Sequence, residues 1–177
     1  MTKQKSKTTV YDIALVALMV AVVEVCKVAM MGLPNIELTS FWLILFSKHF
    51  GKKVYFVVPV FVLLEGALFG FGLWWVMYLY SWPCLVLITR IFRKSDSTFT
   101  WAMISAIFGL CFGALCAIPY FFTGTDVKSG LTLAFNWWIA GIPWDITHCV
   151  GNFALMMLLY KPMCKAINKV KASKISV

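Results

Sequence analysis

Long apolar stretches, each closed by a short cluster of lysine or arginine, constrain this chain more than anything else in its sequence. Hydrophobic residues fill 62% of its 177 positions, charged residues only 13%, and the mean hydropathy is +0.86. Those values lie outside the range of soluble globular domains, so a bilayer is the expected solvent. The length accommodates roughly six spans of about 20 residues, read as one all-α membrane domain over residues 1–177 with no separate soluble unit. On a soluble protein the formal charge of +9 would suggest nucleic acid. Here the basic residues stand at the ends of apolar segments, where they signal orientation, and no nucleic-acid partner is expected.

The apolar runs and the Gly and Pro residues between them predict helices over about 12–31, 36–46, 54–69, 73–92, 99–122 and 131–160. Pro59, Pro83, Pro119 and Pro143 fall inside these spans and are expected to bend them, which helix bundles tolerate. Basic residues then alternate by connection. Lys3, Lys5 and Lys7 precede the first helix, Lys48, Lys52 and Lys53 follow the second, and Arg90, Arg93 and Lys94 follow the fourth. Lys161, Lys165, Lys169, Lys171 and Lys174 follow the sixth, so 14 of the 16 basic residues fall on one side, leaving out Lys27 and Lys128. The positive-inside rule makes this a six-span bundle of the plasma membrane with both termini cytoplasmic. The run from Ile13 to Val23 behind three lysines has the outline of a signal peptide. Glu24 and Lys27 interrupt the region of any cleavage site, and the segment is read as a retained first helix.

Charged side chains within a bilayer cost about 2.5–3.5 kcal/mol each on insertion scales, so each needs a partner or a function. Glu24 and Lys27 lie on the first helix, Glu37 opens the second, Glu65 lies late in the third, and Asp145 and His148 lie on the sixth. On the six-span topology the first four fall in the outer half and the last two near the middle, above an apolar inner leaflet. This spread suggests a polar cup open to the outside. Structural readings stand beside it: Glu24 and Lys27 are three apart and can neutralise each other, as can Asp145 and His148, Glu65 can pair with Lys27, and Glu37 can be merely solvated.

At about 100° per residue, Trp138, Gly141, Asp145, His148 and Asn152 share one face of the sixth helix, and Trp75, Tyr78 and Trp82 share a face of the fourth. The first set resembles a ligand wall and the second offers flat surfaces for a planar ring. Anchoring at the membrane interface is the alternative for Trp74, Trp75, Trp137 and Trp138. Two stripes of small residues, Ala14, Ala17 and Ala21 on the first helix and Ala106, Gly109, Gly113 and Ala117 on the fifth, suit close helix packing, either internal or against a partner. The six cysteines show no metal or disulfide spacing and are read as core-filling thiols. No metal or cofactor is expected.

The chain resembles the S-components of energy-coupling factor transporters, small six-helix proteins that bind a vitamin or related micronutrient. The likeness rests on Ala17-x-x-x-Ala21, on Leu33-Pro34-Asn35-Ile36-Glu37-Leu38-Thr39-Ser40-Phe41 continuing through Leu43-Ile44-Leu45 to Phe50-Gly51, on Leu64-Glu65-Gly66 with Phe71-Gly72-Leu73-Trp74-Trp75, and on Ile142-Pro143-Trp144-Asp145 with His148 and Asn152. It covers about 150 residues, from the first helix to the end of the sixth. The resemblance implies a transmembrane coupling subunit that meets the alanine face, two ATP-hydrolysing subunits, and a substrate pocket in the outer loops and helices 4 to 6. With Glu24, Lys27, Asn35, Glu37, Glu65, Trp75, Tyr78, Trp138, Asp145, His148 and Asn152 as candidate contacts, the substrate is either a small planar heterocycle with hydrogen-bond donors or an amino-acid-like compound. The chain has no G-x-x-x-x-G-K-[ST] loop and cannot hydrolyse ATP itself. The rival class is a small proton- or cation-coupled secondary transporter using Glu24, Lys27, Asp145 and His148. An enzyme is disfavoured, since no nucleophile is paired with a base and, with only His49 and His148 and His49 at the cytoplasmic end, a multi-histidine metal site is not expected.

Overall fold

A computed structural model of the chain describes residues 9–173; Lys3, Lys5, Lys7 and Lys174 lie outside them. Among the described residues the fold is entirely helical: α1 (Val10–Ala29), α2 (Thr39–Phe50), a single 3-10 turn (Gly51–Lys53), α3 (Val54–Phe69), α4 (Leu73–Ile91), α5 (Thr98–Phe121) and α6 (Val127–Ser173). Two of the helices, Thr98–Phe121 and Val127–Ala172, are long and apolar enough to cross a membrane, with mean hydropathies of 2.1 and 1.2.

Local chemistry sets the boundaries that differ from those expected. Helix α1 starts before Asp12 because Thr9 and Asp12 form a capping box: the Asp12 amide donates to the Thr9 hydroxyl at 3.2 Å and the Thr9 amide to the Asp12 carboxylate at 3.0 Å. Helix α2 starts three residues late and ends four late. The Glu37 carboxylate accepts from the Ser40 amide (3.3 Å) and hydroxyl (2.8 Å), holding 36–38 outside the helix, and Gly51 at φ +61° ends it. Helix α6 departs most, with 47 residues and about 70 Å of length at 1.5 Å per residue. Asp126 and Ser129 cap each other reciprocally (2.8 and 3.0 Å) and start it four residues early. Beyond Tyr160, Lys161, Lys165, Lys169 and Lys171 belong to the helix and not to an irregular tail.

Consecutive helices run in opposite directions, and contacts at one end show it. Lys53 pairs with Asp12, Lys48 pairs with Asp96 at 2.9 Å and also donates to the Ser95 carbonyl, and Lys171 donates to the His49 carbonyl at 2.9 Å. The starts of α1, α3 and α5 and the ends of α2 and α4 therefore meet at a basic end, with the last turns of α6. The loops 30–38, 70–72 and 122–126 lie at the other. Helix α2 is the central element: Thr39, Ser40, Phe41, Leu43, Ile44, Leu45, Phe46 and Ser47 are all buried. The outer faces of the surrounding helices expose large apolar side chains such as Leu18, Phe56, Leu79, Ile107, Ile146 and Leu158.

Helices α5 and α6 approach closely, and the glycine stripe of α5 allows it. A Cβ on Gly109 would lie 3.0 Å from the backbone carbonyl carbon of His148 and 3.1 Å from the Asn152 amide nitrogen, and one on Gly113 would lie 2.3 Å from the Asp145 carboxylate. Ala106 and Ala117 are buried in the same stripe. The small-xxx-small motif of α5 is thus internal packing. Gly109→Val should cost about 1–3 kcal/mol by overpacking, read as a lower melting temperature in detergent. Gly141→Ala, where an added Cβ meets nothing within 4 Å, should leave the melting temperature unchanged or raised.

Candidate functional site

Two adjoining cavities open between the ends of the helices opposite the basic end. The larger, about 520 Å³, has walls from α4 (Trp74, Met77), α5 (Phe112, Gly113, Cys116, Tyr120) and α6 (Trp137, Ala140, Gly141, Trp144, Asp145). The second, about 310 Å³, is walled by Lys27, Glu37, Tyr78, Trp82, Phe112 and His148 with residues of the α1–α2 loop. Pro34, Asn35 and Phe112 belong to both. Asn35 holds a left-handed backbone, φ +53°, which asparagine tolerates better than most residues. This volume range suits a small organic ligand.

Asp145 is 3% exposed and its Oδ1 accepts from the backbone amide of Gly113 at 2.8 Å. Its Oδ2 is buried without a hydrogen-bond partner among the described residues. His148, also 3% exposed, has Nε2 at 3.2 Å from Glu37 Oε1, stands edge-on to Phe112 with ring centroids 5.1 Å apart, and leaves a buried Nδ1 unpartnered. Glu37 is therefore not merely solvated: it ties the start of α2 to α6. Asp145 and His148 do not bond to each other in the manner their spacing suggested; each has a partner on another element.

Lys27 pairs with Glu65 of α3 and not with Glu24, three residues away on its own helix. The Lys27 ammonium also lies 4.8 Å from the ring centroid of Phe69 and 5.7 Å from that of Tyr78. Glu65 is fully buried, and Glu24, beside it, has both carboxylate oxygens buried without a hydrogen-bond partner among the described residues. Two acids thus face one lysine. Neither Glu24 nor Glu65 lines the two cavities; Lys27 does.

Three aromatic or amide candidates have other places. The Trp75 indole donates to the Val62 carbonyl at 2.7 Å, through the gap left by Gly66, so it locks α4 to α3 and lines neither cavity. Trp138 borders a separate apolar groove with Phe121, Phe122, Leu131 and Phe135. Helix α6 is continuous across Pro143, and at about 100° per residue Trp137, Ala140, Gly141, Trp144 and Asp145 form one arc, with Trp138 just beyond its Asp145 edge. Asn152 is buried and donates to the Ser105 carbonyl at 3.2 Å, also outside the cavities. Trp74, Trp137 and Trp144 line the larger cavity, and Trp137 stacks on Tyr120 with ring centroids 3.9 Å apart. The double tryptophans at 74–75 and 137–138 signalled aromatic walls, but the sequence did not say which member faced inward. Ala14, Ala17 and Ala21 are all exposed on α1. At the basic end, outside the apolar part of the bundle, the Lys48 ammonium holds the Asp96 carboxyl below the usual carboxylate range.

No known family model, curated protein or solved structure matches the chain. The site is therefore read from its own geometry. Removing one member of the Lys27–Glu65 pair leaves an uncompensated buried charge, so Lys27→Met should destabilise the protein by about 3–5 kcal/mol. The double variant Lys27→Met/Glu65→Met should recover most of that loss in the same thermal or denaturant melt. An additive outcome would mean that the two side chains do not interact.

Proposed function

We propose that the chain is the substrate-capturing subunit of an ATP-driven micronutrient importer of the energy-coupling factor type, spanning the membrane six times with both termini cytoplasmic. The observation that carries this reading is a set of buried polar atoms with no hydrogen-bond partner among the described residues, Asp145 Oδ2, His148 Nδ1 and Trp82 Nε1, on residues that line cavities at the end opposite the basic cluster. Buried polar groups without partners are costly, and a ligand that bonds to them would relieve that cost. The apolar outer faces of the surrounding helices support a lipid environment, and the separation of basic end from cavity end supports capture from outside. The exposed Ala14, Ala17 and Ala21 leave a smooth, small-residue face on α1 on which a coupling subunit can seat. ATP hydrolysis belongs to the two partner subunits in this reading.

The secondary-transporter reading keeps one observation in its favour, the buried Glu24, with no hydrogen-bond partner among the described residues, beside the Lys27–Glu65 pair, since an ionisable cluster of that kind can carry a proton. Energy source separates the two. Uptake by intact cells should stop on ATP depletion and survive a protonophore; the reverse result selects the ion-coupled alternative.

Orientation and coupling each give a measurement. With native cysteines replaced, Lys53→Cys and Lys94→Cys should escape a membrane-impermeant thiol reagent added from outside, and labelling at either position would overturn the orientation. Replacing Ala17 and Ala21 together by Trp should abolish co-purification with the coupling and ATPase subunits and abolish uptake. Ligand binding in detergent should stay within about threefold of wild type, a shift of roughly 0.7 kcal/mol or less. Normal assembly by the double variant would make that face lipid-contacting only.

A further inference from the structure

The charges that line the two cavities are not equivalent. Lys27 is matched by Glu65, and Glu37 stands 3.2 Å from His148. Asp145 alone among them has no ion-pair partner among the described residues. Its Oδ1 is held by the Gly113 amide, which fixes the carboxylate, and its Oδ2 is buried and unpartnered. The seat is tight, because a Cβ on Gly113 would fall 2.3–2.8 Å from all three carboxylate heavy atoms. Asp145 is one of the residues lining the larger cavity, and the rest of that wall is dominated by rings: Trp74, Phe112, Tyr120, Trp137 and Trp144.

Ring faces carry negative electrostatic potential, so aromatic walls attract cations, more so where water is excluded. A fixed carboxylate among such walls answers a positive charge twice, by ion pairing and through the rings. An anionic ligand meets like charge there, and a purely apolar one leaves Oδ2 unpartnered at the cost of a buried, unsatisfied acceptor. The 520 Å³ volume and a wall carrying Trp74, Trp137 and Trp144 suit a flat ring more than a long flexible chain. We infer that the larger cavity takes a monovalent organic cation whose charge is carried on or next to a flat ring, with Asp145 as its counter-ion. This rests on the proposed reading of the cavities as the capture site and narrows its substrate class. The second cavity, its charges already paired, would take the uncharged remainder of a longer ligand.

The test uses two charge-matched pairs of probes on the full chain in detergent. Benzamidine is compared with the neutral isostere benzamide, and 1-methylnicotinamide with nicotinamide. Tryptophan fluorescence reports the cavity directly, and the melting temperature gives an independent readout. Each cation should bind at least about tenfold more tightly than its neutral partner and raise the melting temperature. The methylated pair, whose ring nitrogen has no N–H, separates charge from hydrogen bonding. Asp145→Asn should reduce the cation preference to within about twofold by weakening the cations far more than benzamide and nicotinamide. Should that variant not fold, Gly113→Ala, which displaces the carboxylate from its seat, takes its place, and the wild-type comparison decides the matter without either. Equal binding of cation and isostere, absence of binding by both cations, or a preference that survives Asp145→Asn overturns the inference. Native mass spectrometry of gently extracted protein distinguishes the two levels of failure. A neutral or anionic co-purified ligand displaced by blocking the cavity would reject the cation and keep the capture site, whereas normal uptake and ligand retention with Trp137 and Asp145 both replaced would reject the capture site itself.

Discussion

The approach of α5 to α6 at Gly109 and Gly113 decides where the buried polar groups of α6 go. With no side chain on either glycine, the backbone of α5 comes within reach of Asp145, and the Asn152 amide passes on to the Ser105 carbonyl. Dispersion and backbone contact drive such packing in a lipid environment, because lipid tails are as apolar as the side chains they would replace. A larger residue at Gly113 would occupy the space of the Asp145 carboxylate. The seam therefore both joins two helices and fixes the one acid in the larger cavity, so the proposed ligand site depends on a packing motif, of which Gly113 itself forms part of the cavity wall.

Charge is distributed by a different rule at each end. At the basic end the pairs Lys53–Asp12 and Lys48–Asp96 include exposed partners, and such pairs contribute little stability. Their positions count for more, since each ties elements distant in sequence. At the other end the pair Lys27–Glu65 is shielded, with Glu65 fully buried. A buried pair of this kind is better evidence for specificity than for stability, because desolvation offsets most of the Coulombic gain. It sets α1 against α3 in one register, with the Lys27 ammonium confined further by Phe69 and Tyr78.

Helix existence and approximate extent were legible in the sequence because apolar runs and Gly or Pro punctuation act locally. The clearest errors came where polar residues had a use that the hydropathy pattern hides. Thr9 with Asp12 and Asp126 with Ser129 lengthen helices by capping, and Ser47, Lys48 and His49 continue α2 although they read as a loop. Helical phase named Asp145 and His148 as cavity residues, yet it chose Trp75 and Trp138 over their neighbours Trp74 and Trp137. That choice turns on Gly66, which lets the Trp75 indole reach Val62, and on the cavity being centred on α6 nearer Trp137 and Gly141 than Trp138, which lies at the edge of that arc. The partner of Lys27 was equally illegible from spacing alone, since Glu24 is three residues away and Glu65 is 38 away, and only the packing of α1 on α3 selects between them.

Helix α1 has two faces of opposite character, and this bears on how the proposed capture and coupling events connect. Met19, Val20, Val23 and Glu24 are buried, and Lys27 further along the helix lines the smaller cavity. Ala14, Ala17 and Ala21, with Leu18 and Val25, are exposed. One continuous helix therefore carries a cavity wall near its end and an unpartnered small-residue face near its middle. A change in how Lys27 is held requires α1 to move against α3 or Lys27 to leave Glu65. The first repositions the alanine face as a rigid unit, and the second exposes a buried carboxylate to an uncompensated environment. The cost of the second favours the first. The cavity wall at Lys27 and the alanine face thus lie on one 20-residue helix, and a displacement of α1 against α3 would move the two together.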